Sequence, residues 1–128
     1  MKFLGIGFFD PEKMARHPSP EIQAALEECS PHLQELYATG HVLIDIGVDS
    51  EGMALSPTGS GSIVIASDAL GSLVGGVFVL EASTLDEAAK LAALHPSTRV
   101  SRAADFGWRL EIRPVHTFEL PNGRMGEI

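Results

Sequence analysis

Apolar and polar side chains alternate along several stretches of the chain. This pattern predicts strands, because successive residues of a strand point to opposite faces of a sheet. The stretches with strand character are 3–9, 42–49, 63–66, 75–82 and 108–115. In the first of them, Gly5 and Gly7 share one face. Two glycines on one face leave room either for a ligand to approach the backbone or for a neighbouring aromatic ring to pack there.

Two helices are predicted from apolar residues at helical spacing. The first covers residues 21–38 after a capping Ser19, and Pro31 should kink it or split it in two because proline lacks a backbone donor. The second begins with Ser83 as its cap and ends at about His95, since the proline that follows cannot continue a helix.

The order of these elements, β-α-β-β-(β)-α-β, matches a ferredoxin-like βαββαβ sandwich of the α+β class. Both helices of such a sandwich cover one face of an antiparallel sheet, which leaves the other face uncovered. We therefore expect a homodimer packed through the uncovered faces. The domain is predicted to span residues 1–118, with residues 119–128 as a mobile tail or an arm laid on the partner subunit.

Composition and charge narrow the range of partners. The 128 residues carry a net charge of −8 and no cluster of Lys or Arg, which predicts binding neither to nucleic acid nor to an anionic membrane surface. The single cysteine, Cys29, excludes an intramolecular disulfide and suits a reducing compartment. No apolar run approaches the roughly 20 residues of a membrane span, and no signal-peptide pattern is found. These features predict a soluble cytoplasmic protein.

Charged residues on two of the predicted strands form the first candidate site. Asp45 interrupts an apolar strand, and a carboxylate is seldom buried without a partner because removing water from the charge is costly. In the last strand, Arg109, Glu111 and Arg113 share one face, opposite an apolar face. If both apolar faces pack on the helices, all four residues look onto the uncovered face, which a dimer would close into a polar cavity. Arg113, or next Arg109, is then the predicted partner of Asp45.

The three residues of the last strand, Arg109, Glu111 and Arg113, are accordingly candidates for substrate binding. The alternative for them is a structural lattice of salt bridges.

His32 is the candidate acid–base residue. It lies at the edge of the apolar stripe of the first helix, which suits a partly buried imidazole with one nitrogen in reach of a ligand. The alternative is an ordinary surface histidine. Asp68, at a strand end beside a flexible loop, is a second candidate carboxylate or else a turn residue. His95 is interpreted as structural, and Asp10 as a loop cap.

Sequence patterns that hold metals or cofactors are missing. The histidines form no close pair of the kind that a zinc site needs. Neither a phosphate-binding loop, nor Gly-X-Ser-X-Gly, nor a dinucleotide fingerprint occurs. We therefore predict no metal and no cofactor. Cys29 lies in the middle of the apolar stripe, which favours a core position over a nucleophile.

Several segments together resemble the C-terminal half of the YCII-related family. They are Gly75-Gly76 with the apolar strand that follows, Ser-Thr-Leu-Asp-Glu-Ala-Ala from Ser83, His95-Pro96, and Glu-Ile-Arg-Pro-Val from Glu111. The branch they resemble is named for an Asp-Gly-Pro-Phe motif, which is degenerate here because Asp-Ala-Leu-Gly stands in its place from Asp68. The N-terminal half is similar in layout, with His32-Leu33 where YCII-type proteins carry a His-Leu pair. The resemblance covers most of residues 1–118.

The resemblance implies a dimeric α/β barrel, in which two ferredoxin-like units pack sheet to sheet. Most members of the family have no assigned reaction, although one relative is a dehydrochlorinase acting on a chlorinated hydroxyquinol. A His–Asp pair in a cleft has been proposed as the active centre of YCII-type proteins, and some relatives are encoded near sigma factors, which has suggested regulation.

Two functions are therefore predicted as alternatives. The first is a cofactor-free lyase or isomerase acting on a small organic molecule, with His32 as base and Asp45 or Asp68 assisting it. The second is a non-catalytic, small-molecule-binding or regulatory dimer that uses the same cavity.

Overall fold

The computed structural model describes residues 1–67 and 73–123 of the chain. Its elements in chain order are β1 (Lys2–Phe9), α1 (Pro11–Ala15), α2 (Ser19–Ala38), β2 (Val42–Gly47), β3 (Met53–Pro57), β4 (Ile63–Ser67), β5 (Leu73–Glu81), α3 (Leu85–Ala92), α4 (Pro96–Arg99) and β6 (Arg109–Pro114). The predicted site residue Asp68 and the end of the predicted tail, residues 124–128, lie outside the described residues.

The main sheet has four strands in the order β2-β5-β1-β6, and every neighbouring pair is antiparallel. With the β3–β4 hairpin set apart as a second sheet, the chain follows the βαββαβ connectivity of a ferredoxin-like sandwich. The predicted α+β fold class is thus confirmed. Apolar and charged residues alternate in the last strand, which explains why sequence located it well.

One face of the sheet, which we call the helix face, carries the largest buried side chains. Phe3 of β1 and Phe78 and Leu80 of β5 form a core there with two small residues of α3, Ala88 and Ala92. The small side chains allow α3 to lie close to the aromatic rings. Burial of these residues on folding is the main source of stability at this end of the molecule.

Helix α2 packs mainly elsewhere. Its buried Ala25 belongs to a second apolar cluster with Val100, Ala103 and Phe106, in the segment between α4 and β6. The helix runs unbroken through Pro31, so of the two predicted outcomes, a kink or a split, the split is wrong. Because α2 leans on that segment, space remains between α2 and the sheet.

The opposite face of the sheet, which we call the open face, is apolar over three strands. Leu4 and Ile6 of β1 pair with Val79 and Val77 of β5, and the next strand adds Ile44 in the same row as Val79. All five are half-buried in the single chain. The fourth strand, β6, presents charged residues on this face.

A β-bulge in β2 changes which residues face the helices. Val42 pairs with Leu80 and Ile44 pairs with Val79, so Leu43 is an extra residue between two consecutive partners. Beyond the bulge, Asp45 pairs with Phe78 and therefore lies on the helix face. The expectation that Asp45 shares the open face with the arginines of the last strand is wrong for this reason.

The helix ends also differ from prediction in detail. Residue Thr84, rather than Ser83, caps α3 by accepting a hydrogen bond from the backbone N–H of Glu87. Asp10 is a cap as predicted, but it caps a short helix, α1, that sequence did not reveal.

Within the described ranges, no helix is long and apolar enough to cross a membrane.

Candidate active-site cavity

Three glycines form a row across three neighbouring strands of the sheet. Gly7 of β1 pairs with Gly76 of β5, which pairs in turn with Gly47 of β2. All three lie on the helix face, since a Cβ on Gly7 would approach Ser97 and His95 above the sheet. The sheet is therefore bare of side chains along this row.

A cavity of about 620 Å³ opens above the glycine row, between the sheet, α2 and the start of α4. A volume of this size suits a small organic ligand. The lining residues are Gly7, Phe8, Phe9, Met14, Leu26, Cys29, Leu33, Tyr37, Asp45, Ile46, Gly47, Val48, Gly75, Gly76, His95, Pro96, Ser97 and Trp108. The walls formed by the described residues are thus mostly apolar, with a few polar groups and no lysine or arginine.

The glycines of the sheet serve different purposes. A Cβ on Gly5 would lie 2.2 Å from the ring of Phe78, so only glycine leaves room for this ring to pack on the strand. A Cβ on Gly76 would meet the carbonyl oxygen of Ile46 at 2.9 Å, whereas one on Gly47 would meet nothing within 4 Å. Of the two explanations for the paired glycines in β1, Gly5 follows the packing one, while a Cβ on Gly7 would lie 3.3 Å from Oγ of Ser97.

Asp45 and Tyr37 meet at the mouth of the cavity. The phenolic hydroxyl of Tyr37, near the end of α2, donates a hydrogen bond to Oδ2 of Asp45. Partial burial raises the pKa of Tyr37 to about 12, and the hydrogen bond and negative charge of Asp45 act in the same direction. Tyr37 therefore remains a hydrogen-bond donor throughout the physiological pH range and holds the carboxylate in one orientation.

His95 contributes an imidazole to the other side of the cavity. Its Nδ1 accepts a hydrogen bond of 3.0 Å from the backbone N–H of Ser97, which caps α4 and leaves the proton of the neutral ring on Nε2. The ring stacks on Phe78 with centroids 5.1 Å apart. Burial lowers the pKa of His95, and the charge of Asp45 opposes this shift. Neutral imidazole is thus the favoured form near pH 7.

Two further polar groups belong to the cavity wall. The thiol of Cys29 donates to the backbone carbonyl of Ala25 at 3.6 Å, and burial, with the nearby charge of Glu28, raises its pKa. A raised pKa disfavours the thiolate, so Cys29 is not an activated nucleophile. The indole Nε1 of Trp108 is buried and finds no hydrogen-bond partner in the part of the chain that the structure describes.

The acid–base residues predicted from sequence are only partly brought together. Asp45 lines the cavity, whereas His32 is half-buried on α2 and is not among the lining residues. Asp68 lies outside the described residues.

The charged residues of β6 form a separate cluster. Glu111 accepts hydrogen bonds from Arg109 Nη1 at 2.5 Å and from Arg113 Nη2 at 2.8 Å, and these bonds lower its pKa. The guanidinium of Arg109 also lies 3.9 Å from the ring centroid of Phe8. All three charged residues are on the open face, so none lines the cavity.

The predicted ion pair between Asp45 and Arg113 is therefore wrong within one chain. Strands β2 and β6 are the two edges of the sheet, with β5 and β1 between them, and the residues also face opposite sides. Each arginine pairs with Glu111 instead, as in the alternative salt-bridge lattice.

Sequence reasoning missed two residues of the cavity, His95 and Tyr37. The sequence indicates a structural role for His95, and its capping bond to Ser97 is structural, but the same ring also lines the cavity. A histidine directly before a proline that begins a short helix is the signal for the cap. For Tyr37, the signal is its position eight residues before Asp45 across a helix–turn–strand connection.

Metal chemistry finds little support in the described ranges. No group of three or more His, Cys, Asp or Glu side chains there is arranged to hold an ion. The polar groups of the cavity include a carboxylate, a phenol and an imidazole, which are groups that can bind protons.

No protein-family model matches the chain, and no curated protein matches it by sequence. Among solved structures, it is similar to 5-chloro-2-hydroxyhydroquinone dehydrochlorinase (TftG) from Burkholderia phenoliruptrix AC1100, in complex with 2,5-dihydroxybenzoquinone. The two chains share 18% sequence identity, and the alignment covers 91% of this chain and 96% of the other, with a TM-score of 0.47. A similarity of this size carries no assignment of function.

Proposed function

We propose that the cavity is the active site of a cofactor-free acid–base enzyme, of the lyase or isomerase type, acting on a small uncharged organic molecule. The observation that carries the proposal is that Asp45 and His95, from different elements, line one cavity and that the charge of Asp45 acts on the pKa of His95. Paired titratable groups in different environments are typical of proton-transfer sites.

Asp45 is the proposed base. Its carboxylate stands at the cavity mouth, and the hydrogen bond from Tyr37 leaves other lone pairs free to accept a proton from a ligand carbon. The electron pair of the broken C–H bond forms a C=C bond to the adjacent carbonyl carbon, and the π electrons of the carbonyl move onto its oxygen. Return of the proton to another carbon gives an isomer, and departure of a neighbouring leaving group gives elimination.

His95 is the proposed hydrogen-bond donor to that oxygen. With Nδ1 occupied by the Ser97 N–H, the neutral ring offers only its Nε2–H to a ligand. A donor already in place where negative charge develops lowers the barrier to proton abstraction. The roles predicted from sequence are thereby exchanged, since the carboxylate becomes the base and an imidazole assists it.

The YCII-type resemblance, with its proposed His–Asp centre, is compatible with this arrangement if His95 supplies the histidine. His32 and Asp68 remain candidates from sequence alone. Among the described residues, no lysine or arginine lines the cavity to balance an anion, which supports an uncharged ligand.

We also propose that the protein is a cytoplasmic homodimer packed through the open faces. The apolar rows on β2, β5 and β1 support this contact, and Arg109, Glu111 and Arg113 would form its charged edge rather than bind substrate. Light scattering at micromolar concentration should give twice the 13.6 kDa chain mass, and a mass of one chain would exclude the dimer.

Hydrogen exchange in D₂O tests the catalytic proposal without knowledge of the substrate. A panel of small uncharged ketones is incubated with the protein, and loss of α-proton signals is followed by NMR. We expect exchange with at least one compound, reduced about 100-fold or more in Asp45→Asn and less in His95→Asn. Loss in His32→Asn with normal exchange in His95→Asn would restore the sequence-based assignment.

The second candidate function is a non-catalytic ligand-binding dimer, which the mostly apolar cavity wall favours. Trp108 is the only tryptophan and lines the cavity, so its fluorescence reports occupancy. Compounds that change this fluorescence without any proton exchange would support the binding protein over the enzyme.

A further inference from the structure

The β3–β4 hairpin has two unlike faces. Leu55 pairs with Ile65 and Pro57 with Ile63, so these residues share one face with Met53. The other face carries smaller side chains, with Ala54 opposite Ala66 and Ser56 opposite Val64. We call the first face the arm face.

The arm face is uncovered in the single chain. Its large side chains, Met53, Leu55, Ile63 and Ile65, are 61–73% exposed. At roughly 100 Å² for each, they expose about 400 Å² of contiguous apolar surface, which is more than isolated surface residues account for. A two-stranded hairpin alone is also marginally stable in water, so this one needs a surface to pack on.

The exposed apolar areas favour a second copy of the chain as the partner that covers the arm face. The open face of the main sheet is a second uncovered apolar surface on the same chain, so two copies can each offer an arm and a sheet. Two arms of about 400 Å², with the surface that each covers, hide roughly 1,600 Å² in total, within the range of stable dimers.

We propose that the β3–β4 hairpin is a dimerisation arm whose apolar face docks on the second copy at the margin of the contact between the two open faces. This proposal adds the β3–β4 hairpin to the dimer contact, whereas packing of the two sheets alone does not require it. It rests on the proposed dimer but not on the proposed chemistry.

Substitutions on the two faces of the hairpin test the arm directly. Leu55→Asp and, separately, Ile65→Asp place a charge on the arm face, whereas Ser56→Asp places the same charge on the adjacent, opposite-facing residue of the same strand. Because each substitution occurs twice in a symmetric dimer, we expect the dimer dissociation constant to rise roughly 100-fold or more for the first two. It should change less than about threefold for Ser56→Asp, when measured by analytical ultracentrifugation.

Far-UV circular dichroism controls for folding, and all three variants should keep the wild-type spectrum because the substituted residues are exposed in the monomer. Unchanged dimerisation in both arm-face variants overturns the arm but leaves the sheet-to-sheet dimer standing. Equal weakening of dimerisation by Ser56→Asp also overturns the arm proposal, since the added charge alone would then explain the weaker dimer. A monomeric wild-type protein rejects both the arm and the dimer, while the exchange experiment still decides the chemistry.

Discussion

Tyr37 donates its phenolic hydrogen to the carboxylate of Asp45, which links the end of α2 to the edge strand β2 at the mouth of the cavity. The pair fixes the orientation of the proposed base. It also makes the base observable, because Tyr37 is the only tyrosine of the chain and its ionisation can be followed by ultraviolet absorbance.

The first prediction concerns that titration. Phenolate absorbance should appear with a midpoint of about pH 12, above the ordinary value of 10. Because the folded-state pKa is raised, the associated stability is present below pH 10 and is lost as the pH rises toward 12. Asp45→Asn should lower the midpoint only in part, since burial is the larger cause. A wild-type midpoint near 10 in the still-folded protein would contradict the pair.

The second prediction is a loss of stability on mild acidification. Burial lowers the pKa of His95 in the folded state below its ordinary 6.5, so the unfolded chain binds the proton more readily. The contribution of this residue is complete above pH 6.5 and falls as the pH drops through that value toward the folded-state pKa. Urea unfolding between pH 7.5 and 5 measures it.

His95→Asn is the matched control for the pH effect, because asparagine can still cap α4 but does not titrate. The variant should show a flatter dependence of unfolding free energy on pH between 7 and 5.5. The pairing of Glu111 with its arginines acts in a separate window, below its ordinary pKa of 4.5. A slope identical to wild type would show that His95 is not the group responsible.

The third prediction compares Gly76, whose lack of a side chain is required for packing, with Gly47, which lines the cavity without a close neighbour. Gly47→Ala adds a methyl group that meets no atom, so stability should hold or rise by about 0.5–1 kcal/mol. Gly76→Ala drives a methyl against the carbonyl oxygen of Ile46 and should cost about 1–3 kcal/mol. Urea unfolding of both variants gives the comparison.

Binding provides the second half of the glycine test. N-phenyl-1-naphthylamine, an uncharged aromatic dye, can be excited by energy transfer from Trp108 when it occupies the cavity. Gly47→Ala should weaken this signal several-fold because the added methyl group projects from the cavity floor. Unchanged dye affinity, together with unchanged stability, would mean that ligands do not reach the glycine row.

The fourth prediction addresses the indole of Trp108. A buried N–H without a partner costs about 1–3 kcal/mol, so Trp108→Phe removes a penalty together with some packing. The net change in unfolding free energy should stay within about 1 kcal/mol. Phe106→Ala, in the same apolar cluster, should cost about 3–5 kcal/mol. Comparable losses in the two variants, followed by circular dichroism, would reveal an unrecognised role for the N–H.

The order of elements and their alternation predicted the sheet, because both are properties of the local chain. The side of the sheet on which Asp45 lies could not be predicted in this way. Its strand begins Val-Leu-Ile, which is apolar on both faces, so an extra residue at Leu43 leaves no trace in the alternation. Only pairing with β5 reveals the bulge.

The histidine that lines the cavity could not be predicted for a related reason. The prediction for His32 rests on its angle to the apolar stripe of its own helix, and buried Ala25 shows that this helix packs on the segment between α4 and β6. The interpretation of His95 rests on its neighbours in sequence, whereas its place in the cavity depends on stacking with Phe78, a residue of another element. Long-range packing decides both positions.

The bulge at Leu43 changes which positions of β2 face the helices, from even-numbered residues before it to odd-numbered residues after it. Val42 and Asp45 face the same side although they are three positions apart, so deleting Leu43 would restore regular alternation and keep Asp45 opposite Phe78 on the helix face. In a homologue whose strand has the same length but pairs without a bulge, an acid that aligns column by column with Asp45 would project away from the cavity. In this strand, a residue's column in an alignment does not decide which face of the sheet it occupies. Sites of homologues must therefore be compared by the pairing of this strand with its neighbour.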